Sequence, residues 1–331
     1  MEGKTRYLTS MGELSKKDNA LCFRNKEGIH HIPIEGLREI YCLNEISMNT
    51  KLLGYLGKNG VVLHLFGYYG NYCGSYYPPR KYISGKLTVK QVEAFQNNRL
   101  DYAQGIVDGT AENILENLKY YDRKGKSEIK KAIQEITAIR AQLMDQEDIR
   151  HLMFLEGQIW NIYYQTFSII LPDEFEMDKR TRRPPENPLN ALISFGNSML
   201  YTKTISQIYN THLDQSVSFL HEPQDSRFSL SLDLSEAFKP VIVHKTIFDL
   251  VNHKQLNLQH FQKEVNYCLL NDEGRKIFLK AFDERLNTTF EHAKLGRKVS
   301  YQTAIKYDGY KLIKSIMENK PFKAFSMKDN Q

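Results

Sequence analysis

Apolar residues in the first quarter of the chain recur in short, often alternating runs between turn signals. From residue 87 onward the period lengthens to that of a helix. Runs over 6–9, 20–23, 30–34, 39–43 and 61–66 predict strands, with turns marked by Asn25-Lys26-Glu27-Gly28 and by Gly57-Lys58-Asn59-Gly60. Strands at this spacing predict a small sandwich. One short helix is expected over 49–57, where Leu52, Leu53 and Leu56 fall at helical spacing. A Tyr/Gly-rich segment follows over 67–79. It reads either as a packed aromatic crossover between domains or as a set of stacking platforms for nucleic-acid bases.

The helical part begins over 89–95 and continues over 100–121, where Ile106, Ile114, Leu115 and Leu118 form an apolar stripe. Further helices are predicted over 128–144, 147–170 and 189–212, with a Pro-bounded loop from Leu171 to Pro188. The patterns over 230–251, 258–270, 272–291 and 300–317 are also helical, and residues 319–331 read as a polar tail. The expected fold class is therefore α+β and multidomain. A small N-terminal β-sandwich (1–84) precedes a larger all-α domain (85–318).

At 331 residues two domains are also what length predicts. No run approaches the roughly eighteen uninterrupted apolar residues that cross a bilayer, and the first residues lack the layout of a secretory signal. A cytoplasmic protein with no membrane partner is expected. Cys22, Cys42, Cys73 and Cys268 form no CxxC pair, so any metal is expected on oxygen and imidazole. A net charge of +6 permits a polyanionic partner without requiring one.

Candidate chemistry centres on 220–240, which carries His221, Arg227, Asp233 and Glu236. Asp233 and Glu236 are three apart, on one side of a helix. They read as an ordinary acidic helix start or as partners of His221 in a metal site. Glu156 falls in register with Ile149, Met153, Trp160, Tyr163 and Phe167. A carboxylate on such a stripe needs an arginine partner or a cation. One histidine with two carboxylates suits Mg²⁺ or Mn²⁺, whose open positions serve phosphodiester chemistry. The basic run Lys179-Arg180-Thr181-Arg182-Arg183 reads as a solvated loop or a phosphate contact.

With these residues in place the chain resembles the CRISPR-associated spacer-acquisition integrase family. The motifs are Gly12-Glu13-Leu14, Ile32-Pro33-Ile34, Gly74-Ser75-Tyr76-Tyr77-Pro78, Arg182-Arg183-Pro184-Pro185, and Asn190-Ala191-Leu192-Ile193-Ser194-Phe195-Gly196. Leu220-His221, Arg227, Ser229-Leu230, Asp233-Leu234, Glu236, Phe238 and Pro240 complete the set. The resemblance implies an N-terminal β-sandwich, a helical catalytic domain, a homodimer, and assembly with a small ferredoxin-like CRISPR-associated partner. It implies metal ligands at Glu156, His221 and Glu236, with Asp233 in support. Arg180, Arg182, Arg183 and Arg227 are the expected DNA contacts. The implied reaction is attack by the 3′-hydroxyl of a short double-stranded DNA fragment on a phosphodiester at the edge of a CRISPR repeat. Metal-dependent DNA cleavage is its hydrolytic counterpart. Lys239 and His244 depart from the pattern, standing where arginine and aspartate are usual. The competing readings are a nuclease that resolves branched DNA and a non-catalytic nucleic-acid-binding scaffold.

Overall fold

The computed structural model describes residues 3–79, 82–182, 184–225, 227–264, 267–293 and 295–330. Its chain divides into two compact units: Met1–Lys81 with Asn271–Leu279, and Tyr82–Leu270 with Lys280–Gln331.

The first unit contains strands β1 (Lys4–Leu8), β2 (Gly12–Lys17), β3 (Ala20–Asn25), β4 (Gly28–Pro33), β5 (Leu37–Cys42), β6 (Ile46–Ser47), β7 (Val62–Phe66) and β8 (Tyr72–Tyr76), with helix α1 (Thr50–Lys58). They form two four-stranded sheets, ordered β1-β5-β7-β8 and β4-β3-β2-β6. Leu8, Ile40 and Leu63 from one sheet and Leu14, Leu21 and Ile32 from the other share one core with Leu52 and Leu56 of α1. This is the expected sandwich. The β3–β4 turn forms because the Asn25 side chain accepts from the amides of Glu27 and Gly28 at 3.0 and 3.2 Å. The Tyr/Gly-rich segment is more ordered than a crossover: its second half is β8, paired antiparallel with β7 through Leu63↔Tyr76 and His64↔Ser75. Arg275 Nη2 donates to the Tyr68 carbonyl at 3.3 Å, tying the 271–279 segment to this unit.

The second unit is mostly helical: α2 (Gly85–Arg123), α3 (Lys130–Ala141), α4 (Ile149–Gln165), α5 (Phe167–Ile170), α6 (Pro188–Tyr209), α7 (Ser229–Glu236), α8 (Lys245–Asn252), α9 (Asp272–Asn287, shared between the units) and α10 (Tyr301–Glu318). The two helices expected over 89–121 are one element, α2, kinked at Asn98 (φ −135°, ψ 20°). Helix α6 starts at Pro188 under the Asn187 cap and is buried on nearly every side, as its high apolar content requires. No helix among the described residues is long and apolar enough to cross a membrane.

Three expectations need correction. Residues 258–270 are not a helix: Asn257 and His260 cap a single turn, Phe261 is extended, and β9 (Phe261–Glu264) pairs antiparallel with β10 (Tyr267–Leu270). Helix α9 likewise stops at Asn287, before β-branched Thr288 and Thr289, and β11 (Thr289–His292) pairs with β12 (Arg297–Ser300). The second unit is thus mostly rather than entirely α. Finally, 319–331 is no loose polar tail, because Phe322, Ala324, Phe325 and Ser326 are buried. Asn319 ends α10 in a left-handed cap, and the segment then lies along α2. There Asn113 Nδ2 donates to the Phe325 carbonyl at 3.0 Å and Asn113 Oδ1 accepts from the Met327 amide at 2.9 Å.

Gly105 makes this docking possible, since a Cβ at that position would meet the Phe322 carbonyl oxygen at 1.8 Å. In an open helix Gly→Ala gains about 1 kcal/mol of propensity. We expect Gly105→Ala to lose roughly 1–3 kcal/mol instead, from overpacking. Gly54→Ala in α1, where a Cβ meets nothing within 4 Å, should be neutral or stabilising. Denaturant midpoints of the two variants check the contrast.

Candidate active site

His221 lies in a loop pinned from two sides. The Asp233 carboxylate, on α7 and fully buried, accepts from the amides of Phe219 (2.7 Å), Leu220 (2.9 Å) and His221 (3.0 Å). Arg99, one residue past the α2 kink, donates to the Phe219 and Leu220 carbonyls at 2.8 and 3.2 Å and pairs with Glu222 at 2.6 Å. Asp233 Oδ1 also lies 2.8 Å from His221 Nδ1. Oδ1, which already accepts the His221 amide hydrogen, takes the ring N–H as well, so in the neutral ring Nδ1 carries the proton and Nε2 the lone pair. Burial opposes a charge on His221, but the hydrogen bond and charge of Asp233, aided by Glu236, outweigh it and hold its pKa above the ordinary value. Asp233 therefore orients the imidazole, and Arg99 is a contributor that sequence spacing gave no sign of.

Glu156 does not sit in the middle of an apolar stripe. The buried face of α4 is Leu152, Leu155, Ile159 and Tyr163, and Met153 is exposed, so Glu156 stands on the flank. Trp160, one turn on, donates its Nε1–H to Glu156 Oε1 at 2.7 Å. Burial first, and the Glu236 carboxylate second, push the Glu156 carboxyl up to about 7, against the lowering influence of Lys239, His221 and Trp160.

Glu236 is the last residue of α7 and is buried. Its Oε1 accepts from Lys239 Nζ at 2.5 Å, while Oε2 is buried with no hydrogen-bond partner. Beyond it Pro240 lacks an amide hydrogen, and the chain continues as a π-helical turn, Lys239–His244, into α8. Side chains satisfy the carbonyls that this turn exposes. Asn113 Nδ2 donates to Ala237 O at 2.8 Å, Asn117 Nδ2 to Pro240 O at 2.7 Å, and Arg285 Nε to Val241 O at 2.8 Å.

The arginines divide. Arg180 turns inward, donating to Asn190 Oδ1 and Ser194 Oγ at 2.9 Å each and to the Thr181 carbonyl; burial lowers its pKa. It braces the loop before α6. Arg182 is exposed, Arg227 is half-buried with a 3.3 Å bond to Gln224, and Arg183 lies outside the described residues. His244 is buried among Trp160, Tyr163, Tyr164 and Phe167, neither ring nitrogen has a partner, and burial holds it neutral.

Glu156, Glu236 and His221 are thus brought together with Lys239 among them. Among the described residues, no three His, Cys, Asp or Glu side chains are arranged, as they stand, to hold a metal ion. The donor set nevertheless fits a hard divalent cation. It offers Glu156, whose carboxyl burial makes costly to ionise, Glu236 with Oε2 orphaned, and an imidazole with Nε2 presented.

The sequence profile described as CRISPR associated protein Cas1 matches residues 6–284. The CRISPR-associated endonuclease Cas1 2 of Thermodesulfovibrio yellowstonii is 44% identical over 325 residues, covering 97% of this chain and 98% of its own. The solved structure of TM1797, a Cas1 protein from Thermotoga maritima, superposes with a TM-score of 0.84 at 35% identity, covering 95% of this chain and 97% of its own. A casposase bound to its integration product shares the fold, with a TM-score of 0.84 at 20% identity, covering 99% of this chain and 94% of its own.

The raised Glu156 pKa has a signed consequence for stability. A carboxyl whose folded pKa of about 7 exceeds its unfolded value contributes stability at low pH and loses it as pH rises through 7. Metal-free Glu156→Gln should therefore melt several degrees higher than wild type at pH 8 and at the same temperature at pH 4, as measured by scanning calorimetry.

Proposed function

The chain belongs to the CRISPR associated protein Cas1 family, and we propose that it is a metal-dependent DNA endonuclease and integrase of CRISPR adaptation. The observation that carries the reading is the pair of neighbouring carboxylates, Glu156 and Glu236, beside an imidazole whose Nε2 is freed by Asp233. A non-catalytic scaffold has no use for such a pair, which costs stability whenever both are ionised.

Glu156, Glu236 through Oε2, and His221 through Nε2 would hold Mg²⁺ or Mn²⁺. A cation bound there would polarise the phosphoryl oxygen under attack and make the attacking oxygen more acidic. The protein's own contribution is positional. Asp233 and Arg99 fix the ring, Trp160 fixes one oxygen of Glu156, and the π turn fixes Glu236. The exposed Arg182 and half-buried Arg227 are available to backbone phosphates.

In the proposed reaction the 3′-hydroxyl of a short DNA fragment attacks a phosphodiester at the edge of a CRISPR repeat. A new P–O bond forms, the repeat strand leaves as a free 3′-hydroxyl, and the attacking group's proton passes to the leaving oxygen or to solvent. Water in place of the hydroxyl gives cleavage. The working assembly is a homodimer in the cytoplasm, joined by a small ferredoxin-like CRISPR-associated partner.

In a strand-transfer assay with Mn²⁺ and that partner, Glu156→Ala, His221→Ala and Glu236→Ala should each lower joining by about a thousandfold or more. Asp233→Asn should lower it by roughly 10–100-fold, as loss of a group that orients a metal-ligating histidine does. Normal joining by the three alanine variants would refute the site. Cleavage of branched DNA with no covalent fragment–repeat junction would favour a resolving nuclease.

A further inference from the structure

Lys239 is the one cation in direct contact with the carboxylate pair among the described residues. Its Nζ lies 2.5 Å from Glu236 Oε1, and its side chain is only 15% exposed, so the ion pair is largely withdrawn from water. The same ammonium stands 5.6 Å from the centroid of the Trp160 ring, whose Nε1–H is bonded to Glu156 at 2.7 Å. It thus faces both acids. Its backbone is set by the π turn, which Asn113 and Asn117 hold from α2.

We propose that Lys239 is the resident counter-cation of this site: it neutralises the Glu156–Glu236 pair when no metal is bound and competes with a divalent ion for it. The inference rests on reading the site as a metal centre. Two features favour competition over a purely supporting role. A metal ion between Glu156 and Glu236 would stand next to a fixed positive charge in a poorly solvated place, where like charges repel strongly. A lysine is also a compact point charge on a flexible stem, able to release one oxygen and swing aside, whereas an arginine fork would grip both oxygens of a carboxylate. Glu236 Oε2 is left unpartnered here, as a single-point grip requires. Once displaced, the ammonium becomes a donor for the phosphate of a bound strand, so metal binding and substrate contact are coupled through one side chain.

Trp160 is the only tryptophan of the chain, and it touches both Glu156 and Lys239. Its fluorescence therefore reports on the site without any turnover. The test is Mn²⁺ titration of the full chain, read by Trp160 emission and by electron paramagnetic resonance of free Mn²⁺. Wild type, Lys239→Met, Lys239→Gln and Lys239→Arg are compared at one pH and ionic strength. Removing a unit charge next to the ion should tighten Mn²⁺ binding roughly tenfold or more in the Met and Gln variants, while Arg stays within about threefold of wild type. The Gln variant keeps a hydrogen bond to Glu236, so it reports on charge even where Met unfolds. Unchanged or weaker Mn²⁺ binding by the folded Met or Gln variant overturns the proposal and leaves the metal centre standing. A wild-type chain that binds no Mn²⁺ overturns both.

Discussion

Two carboxylates held together away from water form an arrangement that a protein must answer with positive charge. Glu156 and Glu236 meet in the second unit, and each responds differently: Glu156 by drawing its proton back toward neutral pH, Glu236 by pairing with Lys239. The surrounding site reads as a set of answers to that constraint. Trp160 donates to one acid, Asp233 holds the ring of His221 beside both, and three backbone amides in turn hold Asp233. A divalent cation would be the most effective answer of all, which is why we propose a metal-dependent nuclease rather than a binding scaffold.

The scaffold serves this point. Helix α2 passes under the site and sends three polar side chains to four places: Arg99 to the His221 loop, Asn113 to both the end of α7 and the carboxy-terminal segment, and Asn117 to Pro240. Phe238, between Glu236 and Lys239, stacks on Phe325 at 4.7 Å between centroids. The carboxy-terminal residues thus help fix the backbone that aims both charged side chains.

Much of this was legible in the sequence. Period-2 runs located most of the sandwich strands, and period-3.6 runs located α2, α3, α4, α6 and α10. The resemblance to a known family placed Glu156, His221, Asp233 and Glu236. What was misread has physical causes. The apolar pattern over 258–270 concealed a strand pair, because so few apolar residues suit either period. The assumed stripe through Met153, Glu156 and Trp160 lies one position past the buried Leu152, Leu155 and Ile159 and meets the buried face only at Tyr163. Residues 321–327 looked polar because Pro321, Lys323 and Ser326 break up their apolar residues, and only the Gly105 notch on α2 shows where they pack. Arg99 was invisible as a site residue, since its contacts with the 219–222 loop exist only in the fold, and Lys239 stood out only as a departure from the family pattern although it stands three residues from Glu236.

We propose that Glu156, Glu236 and His221 together hold one divalent cation while Asp233 stays outside its shell. Anomalous scattering from crystals grown with Mn²⁺ tests it most directly. A single strong peak is expected within ligand distance of both glutamates and of His221 Nε2, with Asp233 still bonded to Nδ1 and the loop amides. The absence of a peak there, or a peak ligated by Asp233 with His221 turned away, would contradict it.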